Sequence, residues 1–79
     1  MSNEADNILA VDARGLACPE PLMRAKSAMT RAKGGAVEVR VDTATSRDNI
    51  RRMVLREGRD FEAAADGDSF ILRIGAKKV

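Results

Sequence analysis

Residues 37–42 read Val-Glu-Val-Arg-Val-Asp, and this stretch identifies the most regular strand of the chain. Val37, Val39 and Val41 alternate with charged residues, so one side of the strand is apolar and the other is polar. Such a strand belongs to a sheet that is covered on one face and open to water on the other. We therefore predict a sheet with a single apolar face.

Two amphipathic helices are predicted, one on each side of this strand. The first spans Pro19 to Lys33, and the second is capped by Thr45 or Ser46 with Asp48 in its first turn. The apolar stripes consist of Leu22, Ala25, Met29 and Ala32 in the first helix and of Ile50, Met53 and Val54 in the second. Because each helix has a single stripe, both helices are expected on the same face of one sheet.

Three further strands complete the prediction. Ile8 to Asp12 is a short apolar run, and a terminal hairpin turns at Asp66-Gly67-Asp68. The inward residues of the hairpin are predicted to be Phe61, Ala63, Ala65, Phe70, Leu72 and Ile74. The order β-α-β-α-β-β predicts an α/β (α+β) two-layer sandwich with a mixed four-stranded sheet. A right-handed crossover makes its first two strands parallel.

Composition sets limits on function. The chain has 79 residues, of which 44% are hydrophobic and 33% charged, a composition typical of a single folded domain. We expect a disordered tail at 1–7 and one domain at 8–79. The net charge of +2 does not by itself imply a polyanionic partner. With no histidine and one cysteine, the common zinc sites and histidine-dependent hydrolase arrangements cannot form. We expect no metal and no cofactor.

Cellular location is also an expectation from the sequence. Residues 1–7 are polar and contain no apolar leader, and no run approaches the length of a membrane span. A lone thiol stays available in a reducing compartment. We therefore expect a cytoplasmic protein with no membrane partner.

The one cysteine, Cys18, lies in the stretch Gly15-Leu16-Ala17-Cys18-Pro19-Glu20-Pro21. Pro19 is predicted to be the first helical residue and Cys18 the N-cap, where the helix dipole favours the reactive thiolate. Arg14 would favour the thiolate and Glu20 would disfavour it. The alternative is a buried cysteine that serves only as a small apolar side chain. The polar approach and the two prolines favour the nucleophile.

The residues from Asp12 to Pro21 resemble the signature of TusA-type sulfur carriers, also called SirA-like proteins: an aspartate, a Gly-Leu pair, then Cys-Pro-x-Pro at the start of a helix. The resemblance extends in element order from Ile8 to about Lys77. It implies a two-layer fold similar to the C-terminal domain of bacterial translation initiation factor three. It also implies that Cys18 carries sulfur as a persulfide, with a supporting motif of Gly15, Pro19, Glu20 and Pro21.

The resemblance further implies the kind of partner. Members of the family receive sulfur from a cysteine desulfurase or a rhodanese-like donor and pass it to DsrE-like or other acceptors, for tRNA thiolation, cofactor synthesis or sulfur metabolism. The chain would act as a stoichiometric carrier and not as an enzyme. Many members have Asp-x-Pro after the second strand, where this chain has Asp42-Thr43-Ala44. The stretch Val41-Asp42-Thr43 with Asp48-Asn49-Ile50-Arg51-Arg52 is more similar to the YedF-like branch associated with selenium, so selenium trafficking is a further alternative.

Several exposed residues are candidates for a partner surface. Met23 falls off the inner stripe of the first helix and could form an apolar docking point, while Arg14 and Lys26 could stabilise an anion or a partner. Arg52 and Arg56 point away from the stripe of the second helix and suggest a regulatory or RNA-binding module as the alternative function. Acidic residues interrupt this run and aromatic stacking residues are few. Nucleic acid is therefore not the favoured partner.

Overall fold

The computed structural model describes residues 8–17 and 19–76 of the chain. The elements are β1 (Leu9–Asp12), α1 (Glu20–Arg31), β2 (Val37–Val41), α2 (Ala44–Arg56), β3 (Phe61–Asp66) and β4 (Ser69–Ile74). This is the predicted β-α-β-α-β-β order. The expected tail at 1–7 and the end at 77–79 lie outside the described residues.

The four strands form one mixed sheet in the order β1-β2-β4-β3. β1 and β2 are parallel, as the crossover through α1 predicts, and β4 pairs antiparallel with both β2 and β3. Because the β2–β4 register sets Val39 opposite Leu72 and Val37 opposite Ile74, the apolar side chains of the two central strands lie on one side of the sheet.

Both helices cover that apolar side. Residues from α1, α2 and the central strands share one buried cluster, whereas Glu38 and Arg40 of β2 lie on the opposite side and are only partly covered. The cluster consists of Ala13, Ala25, Ala28, Met29, Val37, Val39, Val41, Ile50, Met53, Val54, Leu72 and Ile74. Complete burial of a side chain such as Ile50 or Leu72 contributes about 2 kcal/mol. The fold is the predicted two-layer sandwich.

The N-terminal cap of α2 is not at the predicted residue. Thr43 is the N-cap, and its hydroxyl oxygen accepts a hydrogen bond from the Ser46 N–H at 3.1 Å. The same hydroxyl donates to Ser46 Oγ at 2.9 Å. The prediction of Thr45 or Ser46 as the cap is therefore wrong by two or three positions, because the extended backbone that a cap requires occurs at Thr43, directly after β2.

The hairpin forms as predicted, but the helices do not cover its outer strand. Phe61 is half-buried, while Ala63 and Ala65, predicted to face inward, are exposed. β3 is the edge strand of the sheet, and it extends beyond the area that α2 covers. The alternation of the sequence is real, but at Ala63 and Ala65 it does not produce burial.

Candidate functional site

The β1–α1 loop begins at the carboxyl end of β1, next to the parallel end of β2. Ala13 is buried, and its N–H donates to the Arg40 carbonyl at 2.8 Å, which continues the strand pairing by one residue. The chain then turns at Arg14 and Gly15 towards α1. The loop that contains the cysteine motif therefore starts from a point fixed in the core.

Asp12 and Arg14 form a two-point ion pair at the start of this loop. Arg14 donates from Nε to Asp12 Oδ1 at 2.9 Å and from its terminal guanidinium nitrogen to Oδ2 at 2.8 Å. The Arg14 backbone N–H also donates to Oδ1 at 3.1 Å. The hydrogen bonds from Arg14 lower the pKa of Asp12 to about 2, and the same interaction raises the pKa of Arg14. Arg14, predicted to stabilise a thiolate, thus has its charge matched by Asp12.

Gly15 joins the loop to the next strand. Its N–H donates to Oδ2 of Asp42, the residue that follows β2, at 2.9 Å. Gly15 has a φ of +77°, a conformation in which other residues are strained. Its role in the predicted motif is therefore a turn that also aims a donor at Asp42.

The helix begins one residue later than predicted. Pro19 is the N-cap, because its carbonyl accepts from the Met23 N–H at 3.0 Å while its own backbone is not helical. Before it, the Glu20 N–H donates to the Ala17 carbonyl at 2.8 Å. The prediction that Pro19 is the first helical residue and that the cap falls on residue 18 is wrong by one position. Cys18 itself lies outside the described residues.

The first turn of α1 is anchored by Pro21 and faces solvent at Glu20. Pro21 is fully buried and holds the start of the helix on the core, so the second proline has a packing role as well as a helix-initiating one. Glu20 is exposed and lies 3.7 Å from Arg24, an i,i+4 pair along the helix. The carboxylate closest to the cysteine in sequence therefore has a cationic neighbour.

Two of the proposed partner-surface residues lie on α1. Met23, one turn beyond the cap, has 59% of its surface exposed, the largest value among the exposed large apolar residues of the described part. Lys26 is also exposed, but it lines a cavity of about 360 Å³ with Lys33 and Arg59. Since Lys33 follows the C-terminal end of α1, the structure sets Lys26 apart from the cysteine loop and leaves Met23 near it.

Arg52 and Arg56 are exposed on α2 and make no ion pair with a described carboxylate. α2 starts at the end of the sheet where the cysteine loop lies, and Arg56 is its last residue. At 1.5 Å per residue, Arg56 is about 18 Å along the axis from the start of the helix. The structure therefore does not bring these arginines to the loop.

The comparison with protein-family models decides the family. Residues 9–75 match the family described as sulfurtransferase TusA, which is most of the chain and includes every described element. The chain belongs to the TusA family. The resemblance in the sequence is thereby confirmed at the level of the family, which gives this TusA-family chain a general role in carrying sulfur between partner proteins.

A solved structure agrees with the TusA assignment. The SirA-like protein from Desulfitobacterium hafniense, known from a crystal structure, superposes with a TM-score of 0.80 at 32% sequence identity. The match covers 90% of this chain and all of that one. No curated protein matches the chain in a sequence comparison. Among the described residues, no helix of this TusA-family chain is both long and apolar enough to cross a membrane.

Two residues with structural roles in the TusA fold are absent from the predicted site. One lies at the end of the sheet next to the cysteine loop, and the other lies at the opposite end. In the sequence Asp42 stands out only as a departure from a family pattern, although its carboxylate accepts the hydrogen bond from the Gly15 N–H. Arg59 follows the second helix and has no role in the sequence prediction, yet it is only 5% exposed. A polar residue directly after β2 and beside the parallel β1 was the available signal for Asp42; nothing in the sequence distinguishes Arg59 from its exposed neighbours.

Proposed function

We propose that this chain is a sulfur carrier that accepts and relays sulfane sulfur as a persulfide on Cys18. The observation that carries the proposal is the match to a sulfurtransferase family in a chain with a single cysteine. A sulfur atom bound covalently through a disulfide-type linkage requires a thiol, and Cys18 is the one thiol that the sequence offers. The carrier step then needs no metal and no redox cofactor.

The proposed transfer is an exchange between thiols and balances without an external oxidant. The Cys18 thiolate attacks the terminal sulfur of a persulfide on the donor, a new S–S bond forms on Cys18, and the donor cysteine leaves as a thiolate. In the second step, a thiolate of the acceptor attacks the terminal sulfur on Cys18. The S–S bond to Cys18 breaks, and Cys18 returns to the thiolate state.

The charges around the motif favour this chemistry. Asp12 and Glu20 are the acidic residues closest to Cys18 in sequence, and each has an arginine partner, Arg14 at 2.8 Å and Arg24 at 3.7 Å. Pairing reduces the repulsion that these carboxylates would exert on a thiolate. The adjacent start of α1 contributes the positive end of the helix dipole. Together these features support a lowered thiol pKa, which supplies thiolate without a histidine.

The described backbone on either side of the cysteine motif is anchored to the fold. On one side Gly15 is bound to Asp42, and on the other Pro21 is buried in the core. Met23 offers an exposed apolar side chain next to this segment. We propose that a cysteine desulfurase or rhodanese-like donor, and a DsrE-like or other acceptor, dock over Met23, in a cytoplasmic compartment where the thiol stays reduced.

Intact-mass measurement tests the carrier. The chain is incubated with a cysteine desulfurase and cysteine, and its mass is recorded before and after a thiol reductant. We expect a gain of one sulfur atom that the reductant reverses and that Cys18→Ser abolishes. A Met23→Gln variant is expected to load more slowly with unchanged stability. No mass gain with desulfurase or rhodanese-like donors would overturn the proposal.

The second candidate is an RNA-binding module on α2. It is supported by the exposed Arg52 and Arg56, which lack a described carboxylate partner. Phosphate contacts would make binding salt-dependent. The test is an RNA mobility shift that weakens with salt and disappears in the Arg52→Ala/Arg56→Ala variant. The same variant is expected to accept sulfur normally, which separates the two functions.

A further inference from the structure

Within residues 8–17 and 19–76, one row of β3 backbone groups has no strand partner, because β3 is at the edge of the sheet. The Gly75 N–H donates to the Asp60 carbonyl at 2.9 Å, which fixes the phase of the β3–β4 ladder. Since bonded and non-bonded pairs alternate in an antiparallel ladder, the even-numbered residues of β3 bond to β4. The N–H and C=O groups of Phe61, Ala63 and Ala65 therefore point away from β4, towards the open edge.

The side chains of the same three residues face a groove. They lie on the helix side of the sheet, where Phe61 is half-buried and Ala63 and Ala65 are exposed. The groove between β3 and α2 has a volume of about 410 Å³ and is lined by Arg47, Asp48, Arg51, Phe61 and Ala63. Alanine side chains make the β3 side of the groove shallow, so an added strand could approach without a steric barrier.

The wall of this groove is basic. Arg47 is paired with Asp48 at 3.0 Å and also stacks over the Phe70 ring at 4.8 Å. Arg51 is exposed and makes no ion pair with a described carboxylate. The wall therefore presents one unmatched positive charge to the helix side of any strand added to β3. On the opposite side of the sheet, Asp66 is paired with Arg40 at 2.8 Å, and Glu62 makes no ion pair with a described cation.

This distribution of charge disfavours a second copy of the chain as the occupant. Consider two β3 strands paired antiparallel about a two-fold axis. With the axis at Glu62, that residue lies opposite its own copy, and with the axis at Ala64, Glu62 lies opposite Asp66. With the axis at Ala63, Asp60 lies opposite Asp66. Each register places carboxylates opposite each other on that side of the sheet, and each leaves the Arg51 of both copies without an acidic partner on the helix side. A partner whose acidic side chains lie only on the helix side avoids the repulsion between carboxylates and provides a partner for Arg51.

We propose that β3 accepts an extended acidic segment of another protein as a fifth strand, with its carboxylates on the helix side against Arg51 and Arg47. The backbone groups of Phe61, Ala63 and Ala65 supply the ladder hydrogen bonds, and the arginines select the charge of the side chains. On the other side of the sheet the segment carries neutral or basic residues, beside Glu62. The site does not involve Cys18 and goes beyond the sulfur-carrier function.

The test uses a capped peptide of about six residues, the usual length of a strand, in which Glu alternates with Thr. Binding to the isotope-labelled full chain is followed by amide NMR shifts and hydrogen exchange. We expect shifts and slowed exchange at the amides of Phe61, Ala63 and Ala65, with the amides of β1, the other edge, unchanged. A peptide with Lys in place of Glu is expected to bind at least about threefold more weakly.

Two neighbouring arginines provide the matched variants. Arg51→Ser, in the groove, is expected to weaken the acidic peptide about threefold to fivefold, while Arg52→Ser removes the same charge outside the groove and has a smaller effect. Ala63→Pro removes one edge donor without touching the β4 ladder and is expected to abolish binding. Should Ala63→Pro unfold, the Arg51 and Arg52 variants still decide the question.

Several results would overturn the proposal: no shifts at any peptide concentration, shifts confined to residues away from β3, or equal losses from Arg51→Ser and Arg52→Ser. Cys18→Ser is expected to bind the peptide as the unaltered chain does. A failure of peptide binding therefore leaves the sulfur-carrier proposal intact, and a failure of sulfur loading leaves this one intact.

Discussion

The Gly15 N–H donates to Asp42 Oδ2 at 2.9 Å, across 27 positions of sequence. The bond joins the loop that precedes the cysteine to the end of the neighbouring strand. The bond forms because the parallel pairing of β1 and β2 brings the carboxyl ends of both strands to the same end of the sheet. The placement of the loop therefore depends on a residue of β2 as well as on its own turn.

Removal of the Asp42 carboxylate should affect sulfur transfer more than stability. In Asp42→Ala the Gly15 N–H loses its acceptor, but both residues are exposed, so water can replace the bond and unfolding free energy should fall by about 1 kcal/mol or less. The loop is then less fixed, and the rate of persulfide loading should fall several-fold. Asp68→Ala, in the exposed β3–β4 turn, is the control. Equal loading rates in the two variants would contradict the prediction.

Gly15 and Gly58 have the same left-handed φ, so a comparison of their alanine variants distinguishes the effect of backbone strain on stability from an effect on sulfur loading. Gly15 and Gly58 have φ values of +77° and +76°, and a Cβ at either position would have no atom within 4 Å. Gly15→Ala and Gly58→Ala should therefore each cost about 1 kcal/mol of unfolding free energy. Only Gly15→Ala should slow sulfur loading, since Gly58 follows α2 at the other end of the fold. Loading slowed equally by both would show a general effect of stability.

The Asp12–Arg14 pair predicts a specific response to acid. The hydrogen bonds from Arg14 lower the pKa of Asp12 from 3.8 to about 2. A depressed carboxyl pKa stabilises the fold above the unfolded value of 3.8, and that contribution is lost as the pH falls through about 2. A carbon NMR titration of the Asp12 carboxyl should give a midpoint near 2, moving to near 3.8 in Arg14→Gln. A midpoint near 3.8 in the unaltered chain would contradict the pairing.

Local patterns in the sequence predicted the elements and their order. Alternation at Val37, Val39 and Val41 predicted β2, and the single stripe of each helix predicted two layers with both helices on one face. These features depend on a few neighbouring residues and on general connection rules, so a single sequence contains them. The caps at Pro19 and Thr43 were misplaced because a cap depends on the backbone conformation of one residue, which several neighbouring residue types can adopt.

Features that depend on distant contacts could not be read from the sequence. The pattern of Phe61, Ala63 and Ala65 is that of a half-buried strand, but whether a helix covers it is set by the width of the sheet and the position of α2. The motif around Cys18 identified the family, yet the acceptor for Gly15 comes from β2. The persulfide role of Cys18 stays a prediction for the loading experiment.

Arg59 is buried although nothing in the sequence distinguishes it from its exposed neighbours, and its contacts allow a direct stability test. It is 5% exposed, and its guanidinium donates to the Gly75 carbonyl at 2.9 Å and to the Gly35 carbonyl at 2.7 Å. One side chain therefore links the end of β4 to the α1–β2 connection. Arg59→Met fills much of the same space but leaves both carbonyls without this donor, so unfolding free energy should fall by about 3 kcal/mol.

Urea unfolding distinguishes this role from that of a surface arginine. Arg56→Met, at the exposed end of α2, should change stability by no more than about 0.5 kcal/mol. Arg59→Lys should recover less than half of the loss, because a single ammonium group cannot reach both carbonyls in the way the planar guanidinium does. Each midpoint should shift with an unchanged slope, since the fold itself is retained. If Arg59→Met proved as stable as Arg56→Met, the two carbonyls would have to find other donors, and Arg59 would not join these segments.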